Sequence, residues 1–284
     1  MLETLDLEAK VPRARLSRVL PGLQDRLRQL QYEVKRAEVP TIVLFEGWDG
    51  AGKSTVIQRL TRCLDPPAFR EYPGAPPSEL EKRYHFLWRY QARLPEDGQM
   101  AFFDHSWYSR VLVERVEKFV PRKQWSLAYG QINEFERWLC DDGQMLVKFF
   151  LHISQQEQKR RLRAMEKDPV ERWKVQREDW RRNKRYEKWA EAAEDMLAKT
   201  DTPHAPWTPV AATDFRHLRL TVFQTLVTRL EQALVQRQSA PAEVSRTRLA
   251  QETTKVERGR REKAEAALVR SVAKDAGLPL EDEA

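Results

Sequence analysis

The residues Gly47-Trp48-Asp49-Gly50-Ala51-Gly52-Lys53-Ser54 fit the pattern G-x4-G-K-[ST] without adjustment, the spacing of a loop that cradles phosphate. Gly47, Gly50 and Gly52, with Ala51 between them, let the main chain turn tightly and bring its N–H groups against an anion. Lys53 then bridges phosphate oxygens, the Ser54 hydroxyl is a ligand for Mg²⁺ (with Mn²⁺ as a substitute), and Thr55 extends the phosphate-facing edge. Asp49 is unusual inside such a loop, because a carboxylate among phosphates repels them unless a metal ion stands between. Its plainer role is that of a turn aspartate capping main-chain N–H groups. A second carboxylate, Asp104, ends the apolar run Met100-Ala101-Phe102-Phe103 about fifty residues after Lys53. At the carboxyl end of a buried strand it faces the crevice where open α/β sheets bind ligands, and is placed to hold Mg²⁺. Asp49, Lys53 and Asp104 are therefore the expected reaction centre, and its chemistry is in-line phosphoryl transfer.

Downstream of Asp104, Arg110 and Glu114 are four residues apart and share one helix face. Two outcomes stay open for them: an intrahelical ion pair, or Arg110 gripping phosphate with Glu114 on the acceptor side. Between Lys159 and Arg185 there are twelve Lys or Arg against five Asp or Glu. That excess of seven equals the formal excess of the whole chain, +7. One segment thus concentrates the positive charge that can neutralise transferring phosphates and guide a long polyanion.

The elements that must position these residues are readable from periodicity. An apolar seam at Leu23, Leu27, Leu30 and Val34 predicts a helix, with Pro21 suited to its first position and Pro40 ending it. TIVLFEG (Thr41 to Gly47) predicts a strand buried on both faces, followed by the glycine turn and a helix from Lys53 to about Leu64. AFREYPGA is a weaker strand. Ser78 with Glu81 forms a capping-box signature that opens a helical segment, SELEKRYHFLWRYQARL. After the strand ending at Asp104 come helices at about 107–118 and 121–141, a strand in GQMLVKFFLHI, charged helices from Ser154 to about Thr200 broken at Asp168-Pro169, a last strand in WTPVAAT and a closing amphipathic helix. Alternating strands and helices predict an α/β fold of the P-loop NTPase type, a three-layer α/β/α sandwich around a parallel sheet, with a helical lid at about 154–185. The organisation is an N-terminal helical extension (1–39), a core (40–235) and a charged tail (236–284), helical or disordered.

The composition narrows the class. A sequence pI near 9.4 suits an anionic partner. Two cysteines, Cys63 and Cys140, make no disulfide framework. No apolar run reaches the length of a membrane span and no signal core opens the chain, so a cytoplasmic protein without a membrane partner is expected. No specific nucleic-acid motif is present. His85, His152, His204 and His217 lack metal-ligand spacing.

Six strings in order, FEGWDGAGKS, FLWR (Phe86 to Arg89), FDHSWYSRVLVERV, VKFFLHIS, DPVERWK and TPHAPW, resemble the polyphosphate kinase 2 family. Together with WSLAYGQINEFE they look most like its polyphosphate:AMP phosphotransferase branch. The resemblance implies Mg²⁺-dependent, reversible transfer between inorganic polyphosphate and nucleotides: AMP, ADP and ATP, with guanine nucleotides as alternatives. It also implies a mobile lid and a homo-oligomer. Carried over by motif, Asp49 and Lys53 match the Walker A carboxylate and lysine, Asp104 the Walker B carboxylate and Arg110 the arginine of the SWY-x-R string. Arg160, Arg161, Arg172 and Lys174 match the polyphosphate-binding lid, while His105, Glu114 and Arg89 fall on the acceptor side. Two departures stand out. The family usually has Arg in place of His105 and Gly-Gly in place of Ser54-Thr55. An imidazole grips phosphate less firmly than a guanidinium, although a nearby polyanion favours imidazolium. Two other readings remain: an ATP-dependent nucleoside monophosphate kinase of the thymidylate kinase type, whose loop is similar, and a catalytically weakened polyphosphate-binding module.

Overall fold

Five parallel strands form one sheet in the order β2-β3-β1-β4-β5: β1 (Thr41–Gly47), β2 (Phe69–Tyr72), β3 (Met100–Asp104), β4 (Met145–His152) and β5 (Trp207–Ala211). The computed structural model describes residues 1–239. From residue 240 on, the charged tail expected at 236–284 lies outside them. The helices are α1 (Arg13–Arg36), α2 (Lys53–Thr61), α3 (Trp88–Gln91), α4 (Val113–Val116), α5 (Arg122–Asp141), α6 (Gln155–Lys167), α7 (Arg177–Lys184), α8 (Tyr186–Thr200) and α9 (Phe215–Ser239). The architecture is the expected three-layer α/β fold. β1, in the middle, is buried from Thr41 to Phe45 because both faces carry helices, which is why it reads as a continuous apolar run. Its Phe45 is level with Asp104 of β3 on one side and with Phe149 of β4 on the other. Asp104 therefore emerges beside the start of the glycine loop. Among the described residues no helix is long and apolar enough to cross a membrane.

Three local expectations are corrected. Pro21 does not open α1 but lies inside it. The seam continues back through buried Leu20 and Leu16, so packing on the core outweighs the one main-chain bond that proline removes. Met1–Arg237 is one compact unit, α1 included. The Ser78–Glu81 capping box forms, with Ser78 N–H donating to Glu81 Oε2 at 2.8 Å and Glu81 N–H to Ser78 Oγ at 3.2 Å. Yet only a 3-10 turn (Glu81–Arg83) follows it. The reason is that Glu81 Oε1 takes both Arg93 Nη2, at 2.8 Å, and Arg89 Nε, at 3.5 Å. In one unbroken helix those arginines would be carried about 18 and 12 Å along the axis from Glu81, so the tertiary pairing folds the segment back. Likewise, the helix expected at about 107–118 is split into a 3-10 turn (Trp107–Arg110) and α4 by the irregular Leu112.

Candidate active site

The glycine loop runs from β1 into α2 with three glycines at positive φ: Gly47 at 132°, Gly50 at 75° and Gly52 at 100°. A Cβ at Gly47 would run into the Leu151 main chain, and one at Gly52 would come within 2.6 Å of the Phe215 ring. Lys53 is buried, and its Nζ donates to Gly47 O at 3.0 Å and Trp48 O at 3.1 Å, so the ammonium is already held inside the loop. The first N–H groups of α2 have no acceptor within their own helix and carry its positive dipole end, which suits an anion. Ser54 Oγ donates to Asp104 Oδ2 at 2.6 Å. The loop serine and the strand-end aspartate thus share one point in space. Asp104 Oδ1 is buried with no hydrogen-bond partner. A hard cation fits this unpaired oxygen beside a hydroxyl. Among the described residues no group of three or more His, Cys, Asp or Glu forms a metal cage, so such a cation would rely on one or two carboxylates and substrate oxygens, as Mg²⁺ commonly does.

Asp49 is brought to the same loop but is engaged differently: its Oδ2 accepts from Arg182 Nη1 of α7 at 3.1 Å. Burial pushes the Asp49 carboxyl up, but the charges of Lys53, Arg182 and His105 outweigh it and hold it below its ordinary range. Arg110 and Glu114 form the ion pair, Nη1 to Oε2 at 2.9 Å, with the guanidinium 4.7 Å from the Phe86 ring centre. Arg89 is buried and donates to Ala75 O at 3.0 Å. His105 sits at φ 64°, its Nδ1 3.3 Å from Glu46 Oε2 and its Nε2 4.0 Å from Asp104 Oδ1. Arg89, His105, Arg110, Glu114 and Arg182 all line one cleft of about 1020 Å³.

The lid residues divide. Arg161 is not a free phosphate hand. It is buried, with Nε on Glu157, Nη1 on Gly50 O (2.9 Å) and Ala51 O (3.3 Å), and Nη2 on Ala212 O (2.7 Å) and Thr213 O (2.8 Å). With every nitrogen committed, it braces the loop from α6. Arg160 is exposed and paired with Glu157. Arg172 and Lys174 are exposed on a 3-10 turn beside an equally exposed Trp173, and Lys174 pairs with Glu171.

A sequence model of the family described as Polyphosphate kinase 2 matches residues 10–238. The chain belongs to the polyphosphate kinase 2 family. It is 39% identical over 233 residues to the Polyphosphate:AMP phosphotransferase of Pseudomonas aeruginosa, covering 82% of this chain and 47% of that one. With the GDP-polyphosphate phosphotransferase of Mycobacterium tuberculosis it shares 35% identity over 76% of this chain and 73% of the relative. The crystal structure of Polyphosphate Kinase 2 from Arthrobacter aurescens TC1 is similar to it with a TM-score of 0.79 at 28% identity, covering 90% of this chain and 93% of the other. The chain spans about half the length of the polyphosphate:AMP phosphotransferases it matches.

In this member of the polyphosphate kinase 2 family the sequence pattern does not single out several residues that shape the site. Glu46, buried at the end of β1, accepts from Ser106 N–H at 2.7 Å and Ser106 Oγ at 2.8 Å, fixing the turn that carries Asp104 and His105. A charged residue closing an apolar strand was its only signal. Arg182 is one basic residue among twelve in its segment. Glu117, whose side chain is 5% exposed, faces Arg181 at 3.3 Å, Arg182 at 3.7 Å and Arg185 at 3.2 Å. One carboxylate thus anchors α7 over the loop. Glu117→Gln is expected to weaken that anchor by about 1 kcal/mol, since the arginines are partly exposed. Amide hydrogen exchange across α7 should then rise about fivefold while α2 is unchanged.

Trp48 donates from its indole N–H to His152 Nδ1 at 2.8 Å, which requires a neutral ring. Burial drives the His152 pKa down to about 4, with Glu194 opposing weakly. The unfolded chain takes that proton near pH 6.5, so this contribution to stability is complete above 6.5 and is lost as pH falls to about 4, amounting to about 3 kcal/mol. Urea midpoints measured between pH 7 and 4 should fall less steeply for His152→Asn, whose Oδ1 accepts from Trp48 without titrating.

Proposed function

We propose that this protein transfers phosphoryl groups between inorganic polyphosphate and a nucleoside mono- or diphosphate, AMP or ADP being favoured. The observation that carries the reading is the meeting of Ser54 and Asp104 at 2.6 Å, beside a lysine already seated in a glycine loop, with a basic helix reaching that loop through Arg182. Family membership and the names of the relatives support the choice of polyphosphate as one partner.

In this mechanism an oxygen of the acceptor's terminal phosphate attacks the end phosphorus of polyphosphate, and the bridging P–O bond breaks with its electron pair leaving on the shortened chain. Asp104 and Ser54, together with Asp49, would hold Mg²⁺, which would supply neutralisation of the phosphate charges. Lys53 and the α2 N–H groups hold the transferring group in line. Arg182 and the exposed lid cations Arg160, Arg172 and Lys174 accompany the polyanion and exclude water as the lid settles. Arg89 and Arg110 lie across the cleft, on the acceptor's side. A homo-oligomer is part of this proposal.

The test is to incubate pure protein with Mg²⁺ and either AMP or ADP, offering polyphosphate or ATP as donor, and to follow nucleotide products. A diphosphate formed from AMP with polyphosphate but not with ATP supports the reading. Transfer from ATP alone supports a thymidylate kinase type of activity instead. Retention of polyphosphate without turnover supports a weakened binding module.

A further inference from the structure

The lining of the 1020 Å³ cleft carries two kinds of chemistry. Arg89, Arg93 and Arg110 are cations suited to phosphate. Phe119, Val120 and one face of α5, on which Gln124, Leu127 and Gln131 follow at steps of three and four, bring apolar surface and carboxamides. Phe119 is 68% exposed and Leu127 59% exposed. The fold itself gives no reason for the exposed phenyl ring. α4 ends in a Schellman cap: Phe119 N–H donates to Glu114 O at 2.9 Å, Lys118 N–H donates to Arg115 O at 3.2 Å, and Lys118 takes φ 59°. In such a cap the residue in Phe119's place commonly packs back on the helix. Here it points into the cleft instead, at the added cost of a left-handed lysine. Neither the Gln124 nor the Gln131 carboxamide has a hydrogen-bond partner among the described residues. An apolar platform and two free carboxamides, in the same cleft as three arginines, match the three parts of a nucleotide: a flat π face, a base edge with donors and acceptors, and phosphate.

We propose that Phe119, Leu127, Gln124 and Gln131 form the nucleobase subsite of the acceptor. This rests on the phosphotransfer reading, since it takes the nucleotide's phosphate to lie at Arg89 and Arg110. Phe119 stacks on the base, and the glutamines bond its edge. A carboxamide offers a donor and an acceptor together and so complements adenine's amino group and ring nitrogen. On that edge, the one with N7, guanine presents two acceptors instead, so glutamines reading it bind an adenine nucleotide in preference to a guanine one.

The experiment measures AMP and GMP binding by calorimetry without polyphosphate, and KM for each substrate in the transfer assay, for the wild-type protein, Phe119→Ala, Gln131→Leu and Trp138→Ala. Trp138 is exposed on the same helix but lies outside the cleft. Phe119→Ala is expected to weaken AMP binding about tenfold, the scale of one lost stacking partner, and to raise the KM for AMP but not that for polyphosphate. Gln131→Leu should narrow the gap between AMP and GMP, and Trp138→Ala should change neither. Wild-type protein that binds AMP through Phe119 yet transfers nothing would sink the phosphotransfer reading and leave the subsite standing. Transfer with unaltered AMP binding in both cleft variants overturns the subsite alone. So does a change in oligomeric state on Phe119→Ala with AMP binding intact, which would make this face a subunit contact. Failure of the wild-type protein to bind AMP also overturns it.

Discussion

Lys53→Ala is expected to lower turnover by a factor of about 10²–10³, the range observed when one preorganised electrostatic stabiliser is removed. The lysine does two things. Its Nζ donates to Gly47 O and Trp48 O at 3.0 and 3.1 Å, which aims the ammonium along the loop and ties the loop's first two carbonyls to its last residue. Its remaining donor is the one that the proposed mechanism gives to the phosphate. Alanine removes the cation from a buried position and leaves the carbonyls to find other partners, so part of the loss falls on loop geometry. Lys53→Arg keeps the charge but not the compact three-donor head that fits between those carbonyls. It should recover little. The check is kcat with AMP and polyphosphate at saturating Mg²⁺, with far-UV circular dichroism to confirm an intact fold. A loss below tenfold would mean that the transferring charge is carried elsewhere, with Arg182 the first candidate.

What the sequence made legible follows from range. The glycine loop, its lysine and its serine are neighbours along the chain, and two of its three positive-φ glycines, Gly47 and Gly52, are also demanded by close contacts, with the Leu151 main chain and the Phe215 ring. Asp104 could be placed because parallel strands register end to end, Asp104 against Phe45. The strands were readable because burial on both faces leaves continuous apolar runs. Roles set by a distant partner were not readable. Arg161 and Arg182 belong to one basic segment, yet the first is spent on four main-chain carbonyls and the second reaches Asp49, 133 positions away in sequence. Arg110 and Glu114 are four residues apart in either outcome, so only coordinates distinguish an ion pair from a free cation. The capping box at Ser78 was a correct local signal overruled by Glu81's pairing with Arg89 and Arg93. Pro21 reads as a beginning only when the seam is started at Leu23; buried Leu16 and Leu20 continue it backwards at the same steps of three and four.

Lys148→Met is expected to destabilise the protein by about 3–5 kcal/mol, the cost of leaving one charge of a buried pair without its partner. Lys148 sits in β4 level with Leu44 on one side and Trp207 on the other, in a strand otherwise almost wholly apolar. Neither its side chain nor that of Glu136 is exposed at all, and Nζ meets Glu136 Oε2 at 2.7 Å. The other two donors are used as well, on Tyr108 OH at 2.9 Å and Thr200 O at 2.8 Å. Glu136 Oε1 in turn accepts from Tyr108 OH at 2.6 Å and Trp107 Nε1 at 3.0 Å. Burial first, then the Glu136 charge, raises the Tyr108 phenol well above its ordinary range and keeps it a donor. Burial likewise lowers Lys148, with Glu136 only partly restoring it. The pair therefore contributes little net stability but is costly to break. In Lys148→Met/Glu136→Gln no charge is stranded, and the carboxamide oxygen still accepts from Trp107 and Tyr108. That double variant should melt higher than Lys148→Met, whose melting temperature should fall by about 10 °C. If the two changes simply add, the carboxylate and ammonium are not coupled and the argument fails. The outcome matters for the site because Trp107 and Tyr108 anchor the turn that presents Arg110. This buried network thus fixes where Arg110 stands, the arginine that the proposed function puts on the acceptor's side, and the single variant should lose Arg110's register before it loses the glycine loop.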